Sequence, residues 1–475
     1  MLFFEFILVG VLLLSLILVI FILLYPYIKY SWLDKINNLL VLSFPFQGFP
    51  SLLGEIANLR LSQVIVTIGI VLVILLYFKK DKQLLTQKIN FFFFWVLTFL
   101  LASIAGWFYV INVNRFLQFL LGILLVFGAA FLISHFTQDI WYKIKLLVIS
   151  MLLAGLFGLY QLITDMSGLT RISLLKEGYT KDIFGISRIH SFLAEPLYLA
   201  GALFFPIFLV SIWWLINQNL FNLEKLIRHP LLWWLKKPKI VNLVLLIFFG
   251  TIFLLTYSKS AFLALGINVC LLLLISIVKY KQWFLVKLVP IGIVSVILIL
   301  FIASSISADF AKTINEIRLN FVTTLTGESA TAVERNSFFE AAMALLPQFS
   351  VTGIGSGQFG PQSAFWLRRF YNSEQLVVNN IYLEVWLEHG FISFLLFIGL
   401  WFWVVTKNWQ QLIQTKDWTN PLIALRLALL LALQSYLIQW FYFSPLYIMP
   451  IFILLGLLLA LDQQEKPLIK GHQQS

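Results

Sequence analysis

Three ionisable residues stand close together directly before a long apolar run of the sequence: Arg188, His190 and Glu195. Pro196 follows at once; it restricts Glu195 to an extended conformation and suits the first turn of a helix. The free N–H groups and positive dipole end of that helix would lie beside Arg188, which favours binding of an anion. An ordinary interfacial anchor with a proline start has the same pattern. Because ionisable groups are costly at a membrane helix, we prefer the functional interpretation.

Two further cations have comparable surroundings. Lys259 lies in a short polar connection between two apolar runs, where it either reaches lipid headgroups or binds a phosphate as a point charge. Arg335 opens an amphipathic stretch that Pro347 is predicted to close, and it is a candidate third cation at the same outer cavity. The glycine-rich run that follows, 353–360, lacks the Lys-Ser/Thr pair of a nucleotide-binding loop and predicts a tight turn.

A pair of carboxylates opens a later apolar run. Asn380, Glu384 and Glu388 fall four positions apart and share one face of a predicted helix. Two carboxylates along one stripe suit a role in proton transfer. The alternative is structural: Asn380 caps the helix and the glutamates pair with Arg368 or Arg369. The sequence leaves both interpretations open.

The elements that must position these residues are membrane helices. Of the 475 residues 61% are hydrophobic and 11% are charged, and the mean hydropathy is +0.94, whereas soluble proteins have about 45–50% apolar and about 25% charged residues. A bilayer core needs about 20 apolar residues in a helix. The stretch 39–53 is short and interrupted by prolines, so we expect it at the interface or re-entering the membrane. Twelve spans are predicted, at approximately 2–27, 61–78, 91–109, 116–136, 146–163, 192–216, 241–257, 261–278, 285–305, 381–405, 422–443 and 446–461.

Basic residues concentrate in alternate connections between these runs, which predicts the cytoplasmic side. Both termini then lie in the cytoplasm, with Lys143 on the inner side and Asp34 on the outer side. The inner side carries the whole net charge of +12, so the charge indicates orientation and no nucleic-acid partner. The predicted organisation is spans one to nine over 1–305 with an outer loop at 164–191, an extracytoplasmic helical cap over 306–380, spans ten to twelve over 381–461, and a cytoplasmic tail over 462–475.

Cysteine and histidine usage narrows the chemistry further. The single cysteine, Cys270, cannot form an intramolecular disulfide, and no two histidines stand at metal-ligand spacing. We therefore expect neither a metal site nor a cofactor.

In the order and spacing of its motifs the sequence resembles the O-antigen ligase and polysaccharide polymerase superfamily of bacterial membrane glycosyltransferases. Its members carry an arginine-containing stretch before the sixth span, as at Arg188. They also carry a Thr-x-Ser-Arg motif, matched here by Thr256-Tyr257-Ser258-Lys259 with lysine in place of arginine. An arginine-opened loop helix that ends in a Gly-x-Gly turn matches Arg335 through Gly357.

The last shared motif, His-Asn-x-Tyr-Leu-Glu, opens the tenth span, but this chain has Asn379 in place of the histidine before Asn380. In ligases that histidine is credited with activating the acceptor, so its absence counts against ligation onto lipid A core. The pattern from Arg188 to Glu195-Pro196 is also more similar to that of polymerases. We therefore rank polymerase above ligase.

The resemblance implies an all-α polytopic membrane protein of about twelve spans with a GT-C-like fold in the cytoplasmic membrane. Its substrate would be an oligosaccharide on undecaprenyl pyrophosphate, joined at the outer face, with membrane lipids, a chain-length regulator and a flippase as candidate partners. The cations expected to bind pyrophosphate are Arg188, Lys259 and Arg335. The first candidate for the base is Glu195, the second is Glu384 and the third is His190. The expected supporting residues of the site are Ser258, Asn379 and Asn380. The alternatives are the ligase and a noncatalytic transporter or scaffold for lipid-linked oligosaccharide; a transporter should place its charges near the bilayer midplane.

Overall fold

The computed structural model describes residues 32–46, 60–78, 91–169, 187–218, 237–282, 330–367, 376–444, 446 and 448–472. Every regular element within these ranges is helical, which confirms the all-α fold class. The helices are α1 (Trp32–Leu42), α2 (Leu61–Phe78), α3 (Phe91–Ser103), α4 (Val113–Phe136), α5 (Ile140–Met166), α6 (Pro196–Ile216), α7 (Pro238–Leu254), α8 (Lys259–Val278), α9 (Ala330–Phe349), α10 (Phe359–Leu367), α11 (Ile381–Gln414), α12 (Pro421–Gln439) and α13 (Met449–His472). Short 3₁₀ helices continue α3 over Ile104–Tyr109 and α12 over Trp440–Tyr442.

Six of these helices are long and apolar enough to cross a membrane: α4, α5, α6, α8, α11 and α12. Shorter apolar helices, α2, α3, α7 and α13, lie on four other predicted runs. The first and ninth predicted spans, 2–27 and 285–305, lie outside the described residues. The membrane character of the chain is therefore confirmed, while the count of about twelve spans stays a prediction.

The prediction around Lys143 is wrong in two respects. The run was expected to begin at residue 146, but α5 begins at Ile140 and includes Lys143. The Lys143 ammonium lies 2.6 Å from the Asp34 carboxylate, and the two side chains are 0% and 1% exposed. An internal carboxylate neutralises the lysine, so its charge does not end the helix. The ion pair also puts Asp34 on the same side as Lys143, so the expected placement on opposite sides is incorrect.

Helix α1 is an element that the hydropathy pattern did not predict. Asp34 lies near its start, beside Lys143, and Phe46, just beyond its end, has its ring centroid 4.8 Å from that of Phe192. Phe192 in turn stacks on Phe157 of α5 at 4.1 Å. Lys143 and Phe157 are separated by about 21 Å along a helix axis. Residues 34–46 therefore run beside α5. The interfacial or re-entrant placement of 39–53 stays a prediction, and residues 47–53 lie outside the described ranges.

The segment expected to form an outer cap is described over residues 330–367. Helix α9 extends to Phe349, so Pro347 does not close it as predicted. Proline removes one backbone hydrogen bond, here the one that the Met343 carbonyl would accept. The placement of α9 and α10 outside the membrane stays a prediction. Helices α9 and α10 share a hydrophobic core with the start of α11. This core includes Phe338, Ala341, Leu345, Phe349, Phe359 and Leu387.

Helices α6 and α12 form the centre of the bundle. They are the most enclosed of the candidate spans, they pack on each other, and they also contact α7 and α8. Gln439 at the end of α12 donates a hydrogen bond from Nε2 to the Leu197 carbonyl in the first turn of α6, at 3.2 Å. The start of α6 and the end of α12 therefore meet at the same end of the bundle.

Helix α11 is broken at Gly390, whose backbone (φ 82°, ψ 172°) is left-handed and outside the helical region. An added Cβ there would lie 2.3 Å from a backbone oxygen of the turn after α9, so the close approach requires glycine. The break frees the carbonyls of Leu387 and Glu388. They accept hydrogen bonds from the backbone N–H groups of Ile354 and Gly355, each at 2.9 Å, and this holds the glycine-rich turn against α11.

Candidate functional site

The start of α6 carries the first candidate cluster. Pro196 is the first helical residue, and Glu195 is the N-cap with an extended backbone (φ −148°, ψ 154°), as predicted. The side chain of Glu195 makes no capping hydrogen bond to its own helix. The carboxylate therefore lies at the start of a central helix and does not cap the N–H groups of that helix.

The stretch before α6 pairs with the turn between α7 and α8. Arg188 donates from Nε to the Thr256 carbonyl at 3.1 Å, and the backbone N–H of Ile189 donates to the Leu255 carbonyl at 3.3 Å. Lys259 begins α8 directly after this turn. The structure therefore brings the motifs of Arg188 and Lys259 to one place.

Arg335 approaches the same place from α9. Its charge and that of Arg188 both act on the Lys259 ammonium, so each arginine lies within electrostatic range of Lys259. Arg335 is exposed to solvent. Desolvation by the surrounding protein nevertheless lowers the pKa of its guanidinium. The nearby Glu334 and Glu195 act in the opposite direction. A guanidinium stays protonated at physiological pH, so Arg335 is a permanent cation beside Glu195.

Two of these charged residues, Glu195 and Arg335, line an open cleft. The lining comes from four parts of the chain: the start of α6, the start of α9, the segment before α11 and the segment after α12. It includes Glu195, Tyr198, Arg335, Asn379, Tyr442 and Ser444.

Two asparagines open α11 beside this cleft. Asn380 is the N-cap: its Oδ1 accepts from the Leu383 N–H at 3.1 Å, which confirms the capping interpretation. Its Nδ2 donates to the Phe441 carbonyl at 3.2 Å and so ties the start of α11 to the segment after α12. Asn379 lines the cleft with a left-handed backbone, φ 59°.

The two glutamates of α11 are buried, 4% and 3% exposed, and both accept hydrogen bonds from backbone N–H groups. Glu384 accepts from Val378 at 3.0 Å. Glu388 accepts from Gly357 at 2.7 Å and from Phe359 at 3.0 Å. The N–H groups of the glycine-rich turn are thus used inside the protein, where they hold the turn to α11.

Comparison with known families agrees with these motifs. Residues 243–398 match the family model described as O-antigen ligase. This match, over about a third of the chain, supports membership of the O-antigen ligase and polymerase superfamily. The match also supports a membrane enzyme that is similar to the glycosyltransferase-like ligases and polymerases of this family. The matched region contains Lys259, Arg335 and Asn379, whereas Arg188 and Glu195 precede it. No curated protein matches the chain.

The structure also places the other site residues expected from the sequence. His190 is 5% exposed, and its Nδ1 lies 2.9 Å from the Leu193 carbonyl, so this nitrogen carries the proton. Ser258 is the N-cap of α8, 3% exposed, and its hydroxyl makes no hydrogen bond to any described residue. Arg368 and Arg369, the alternative partners of the α11 glutamates, lie outside the described residues. In the described part of the chain, no three His, Cys, Asp or Glu side chains are grouped as metal ligands.

Two residues that hold the site together were not singled out in the sequence. Arg115, near the start of α4, donates from Nε to the Gly357 carbonyl and from Nη2 to the Leu376 carbonyl, the latter at 3.2 Å. Gln358 accepts from the Asn112 N–H at 2.8 Å and donates to the Asn112 carbonyl at 2.9 Å. Arg115 and Gly357 are 242 positions apart. The only sequence signal was a basic residue at the beginning of a span.

Proposed function

We propose that this superfamily member is a polysaccharide polymerase. It joins glycan units carried on undecaprenyl pyrophosphate at the outer face of the cytoplasmic membrane. The observation that carries the proposal is the convergence of Arg188, Lys259 and Arg335 beside the carboxylate of Glu195. A chain-length regulator and a flippase belong to the same proposal as partners.

Three cations suit the departure of a pyrophosphate. The acceptor hydroxyl oxygen forms a bond to the anomeric carbon, and the bond from that carbon to the pyrophosphate oxygen breaks with its electron pair. Negative charge therefore grows on the leaving group, and cations placed there stabilise the transition state. Arg188 and Arg335 can each bind phosphate oxygens through two N–H groups, while Lys259 acts as a point charge.

Glu195 is the best-supported base for the acceptor proton. It lines the cleft with Arg335, whereas Glu384 accepts from the Val378 N–H behind the cleft wall. A general base must come within hydrogen-bond reach of the proton it removes. His190 is only 5% exposed, so it is less accessible to the acceptor than Glu195. In this mechanism the carboxylate of Glu195 takes the hydroxyl proton as the new glycosidic bond forms and later returns it to solvent.

The cleft favours polymerase over ligase because of Asn379. This residue stands where ligases carry the histidine credited with acceptor activation, and it lines the cleft. A side-chain amide has no basic nitrogen and cannot take up the acceptor proton. The proton must therefore go to another residue, in agreement with the role proposed for Glu195.

The test uses Glu195→Gln and Arg335→Ala in a host whose own copy of the gene is deleted. Each variant should reduce long polymer at least about 100-fold, the loss typical of removing one preorganised catalytic group. Single lipid-linked units should accumulate. Arg335→Lys should retain part of the activity because it keeps the charge and loses the two-point contact. Glu340→Gln, an exposed change on α9, is the matched control and should give normal polymer.

Polymer length is read on gels at equal protein expression. If Glu195→Gln and Arg335→Ala both gave an undiminished amount of long polymer, the polymerase proposal would be refuted. Loss of glycan attached to lipid A, with normal chain length, would instead support the ligase.

A further inference from the structure

We propose that Tyr442 and Asn379 form a subsite for one neutral pyranose ring of the acceptor glycan, with the sugar stacked on the Tyr442 ring. The proposal rests on the polymerase function and assigns part of its substrate recognition. Both residues line the cleft together with Glu195. The bound ring would therefore lie beside the proposed base.

The Tyr442 ring is available for stacking. Its side chain is 43% exposed, and the ring has no aromatic partner among the described residues. An aromatic face carries partial negative charge, which attracts the partially positive C–H groups on the apolar face of a pyranose. A tyrosine has few rotatable bonds, so ordering it on a ligand costs little conformational entropy.

Tyr442 is also held on a rigid support. It ends the 3₁₀ helix Trp440–Tyr442, and Trp440 is only 1% exposed. The Trp440 ring stacks on Phe397 at 5.7 Å and packs edge-on against Trp401 at 5.4 Å. The position of the turn is therefore set by α11, and the ring does not need to be organised by the ligand.

Asn379 supplies polar groups on the same part of the cleft. Its amide makes no hydrogen bond to any described residue, although both of its neighbours are fixed. Val378 donates its N–H to Glu384 at 3.0 Å, and Asn380 donates to the Phe441 carbonyl at 3.2 Å. A side-chain amide offers one acceptor and two donors, a set that matches two neighbouring sugar hydroxyls.

The charges of the cleft favour a neutral sugar. Among the described residues of its lining, the charged ones are Glu195 and Arg335, which have opposite signs. Tyr442 lies close enough to Arg335 to influence the guanidinium, so the stacking ring adjoins the cations proposed for the pyrophosphate. A carboxylate on the acceptor sugar would face Glu195, and like charges in one site repel.

Binding is tested by saturation-transfer NMR on the full-length protein in lipid nanodiscs. The probes are the methyl pyranosides of glucose, galactose, mannose and N-acetylglucosamine, with methyl glucuronide as the acidic comparison. At least one neutral pyranoside should receive saturation, and methyl glucuronide should receive less. From the dependence of the transfer on pyranoside concentration, Tyr442→Ala should raise the Kd at least about tenfold, equivalent to about 1.4 kcal/mol, whereas Tyr442→Phe should retain binding. Asn379→Ala should weaken it.

The matched control is Phe365→Ala, which removes another exposed ring, 65% exposed on α10, away from the cleft lining. It should leave saturation transfer unchanged. Equal transfer in Tyr442→Ala and the unaltered protein, or no transfer to any neutral pyranoside, would overturn the subsite. Glu195→Gln separates the two proposals: normal polymer in that variant refutes the polymerase mechanism, while a loss of pyranoside binding on Tyr442→Ala would still uphold the sugar subsite.

Discussion

Removing Lys143 while Asp34 remains should strongly destabilise the bundle. Lys143→Met deletes the ammonium and keeps most of the apolar length of the side chain. In the native protein the ammonium donates to the Asp34 carboxylate at 2.6 Å, to the Asp34 carbonyl at 3.3 Å and to the Asn38 side chain. After the change, a carboxylate that is 1% exposed has lost its cation.

The expected cost follows from this burial. Breaking a buried ion pair by removing one partner typically costs about 3–5 kcal/mol, because the remaining charge is uncompensated. Lys143→Met and Asp34→Leu should each lower the free energy of unfolding by about that amount. Replacing both charges with apolar groups is often close to neutral. The double variant should therefore lie within about 1 kcal/mol of the unaltered protein.

The measurement is unfolding of the purified protein in mixed micelles with increasing SDS, followed by tryptophan fluorescence. Lys145→Met is the matched control, since Lys145 lies one half-turn further along α5 and makes no ion pair with a described residue. It should change the free energy of unfolding by less than about 0.5 kcal/mol. If Lys143→Met were no worse than Lys145→Met, or the double variant as unstable as the singles, the pairing of α1 with α5 would be refuted.

Two substitutions test the glycine-rich turn in the same unfolding assay. Gly353→Ala should cost about 2–4 kcal/mol from backbone strain and crowding, because Gly353 has φ 77° and the new Cβ would lie 2.5 Å from the Glu388 carbonyl oxygen. Gly266→Ala, with nothing within 4 Å of its Cβ, should change stability by less than about 1 kcal/mol, and equal effects would contradict the packing. Glu388→Gln should cost about 1.5–3 kcal/mol, because the carboxylate accepts two backbone N–H groups and an amide has one oxygen. An unchanged free energy of unfolding would show that those bonds are absent.

Much of the helical framework could be predicted because it depends on short-range properties. The run predicted at 61–78 has the bounds of α2, and the run predicted at 381–405 begins where α11 begins. Hydropathy detects such elements because about 20 consecutive apolar residues are needed to cross a bilayer core, whatever their partners. Pro196 after Glu195 similarly predicted the start of α6, since proline restricts the residue before it.

Predictions from the sequence were wrong where a contact with a distant residue altered the effect of a local sequence feature. Lys143 was placed in a cytoplasmic loop before the span predicted at 146–163, because a lone charge is expensive in a membrane. Asp34, 109 positions away, removes that cost. The break at Gly390 was also invisible, because its lost helical hydrogen bonds are replaced by a turn that lies more than thirty positions earlier.

In the candidate site, too, the sequence determined some properties and the tertiary structure determined others. Residue types and local spacing were enough to single out Arg188, Lys259 and Arg335 as costly charges, and to show a resemblance to the O-antigen ligase and polymerase superfamily. Their sequence positions say nothing about the distance between them. Folding around α6 and α12 brings the three charges and Glu195 together and adds Tyr442 to the same cleft. Electrostatic and stacking forces depend on separation in space, and that separation is set by helix packing.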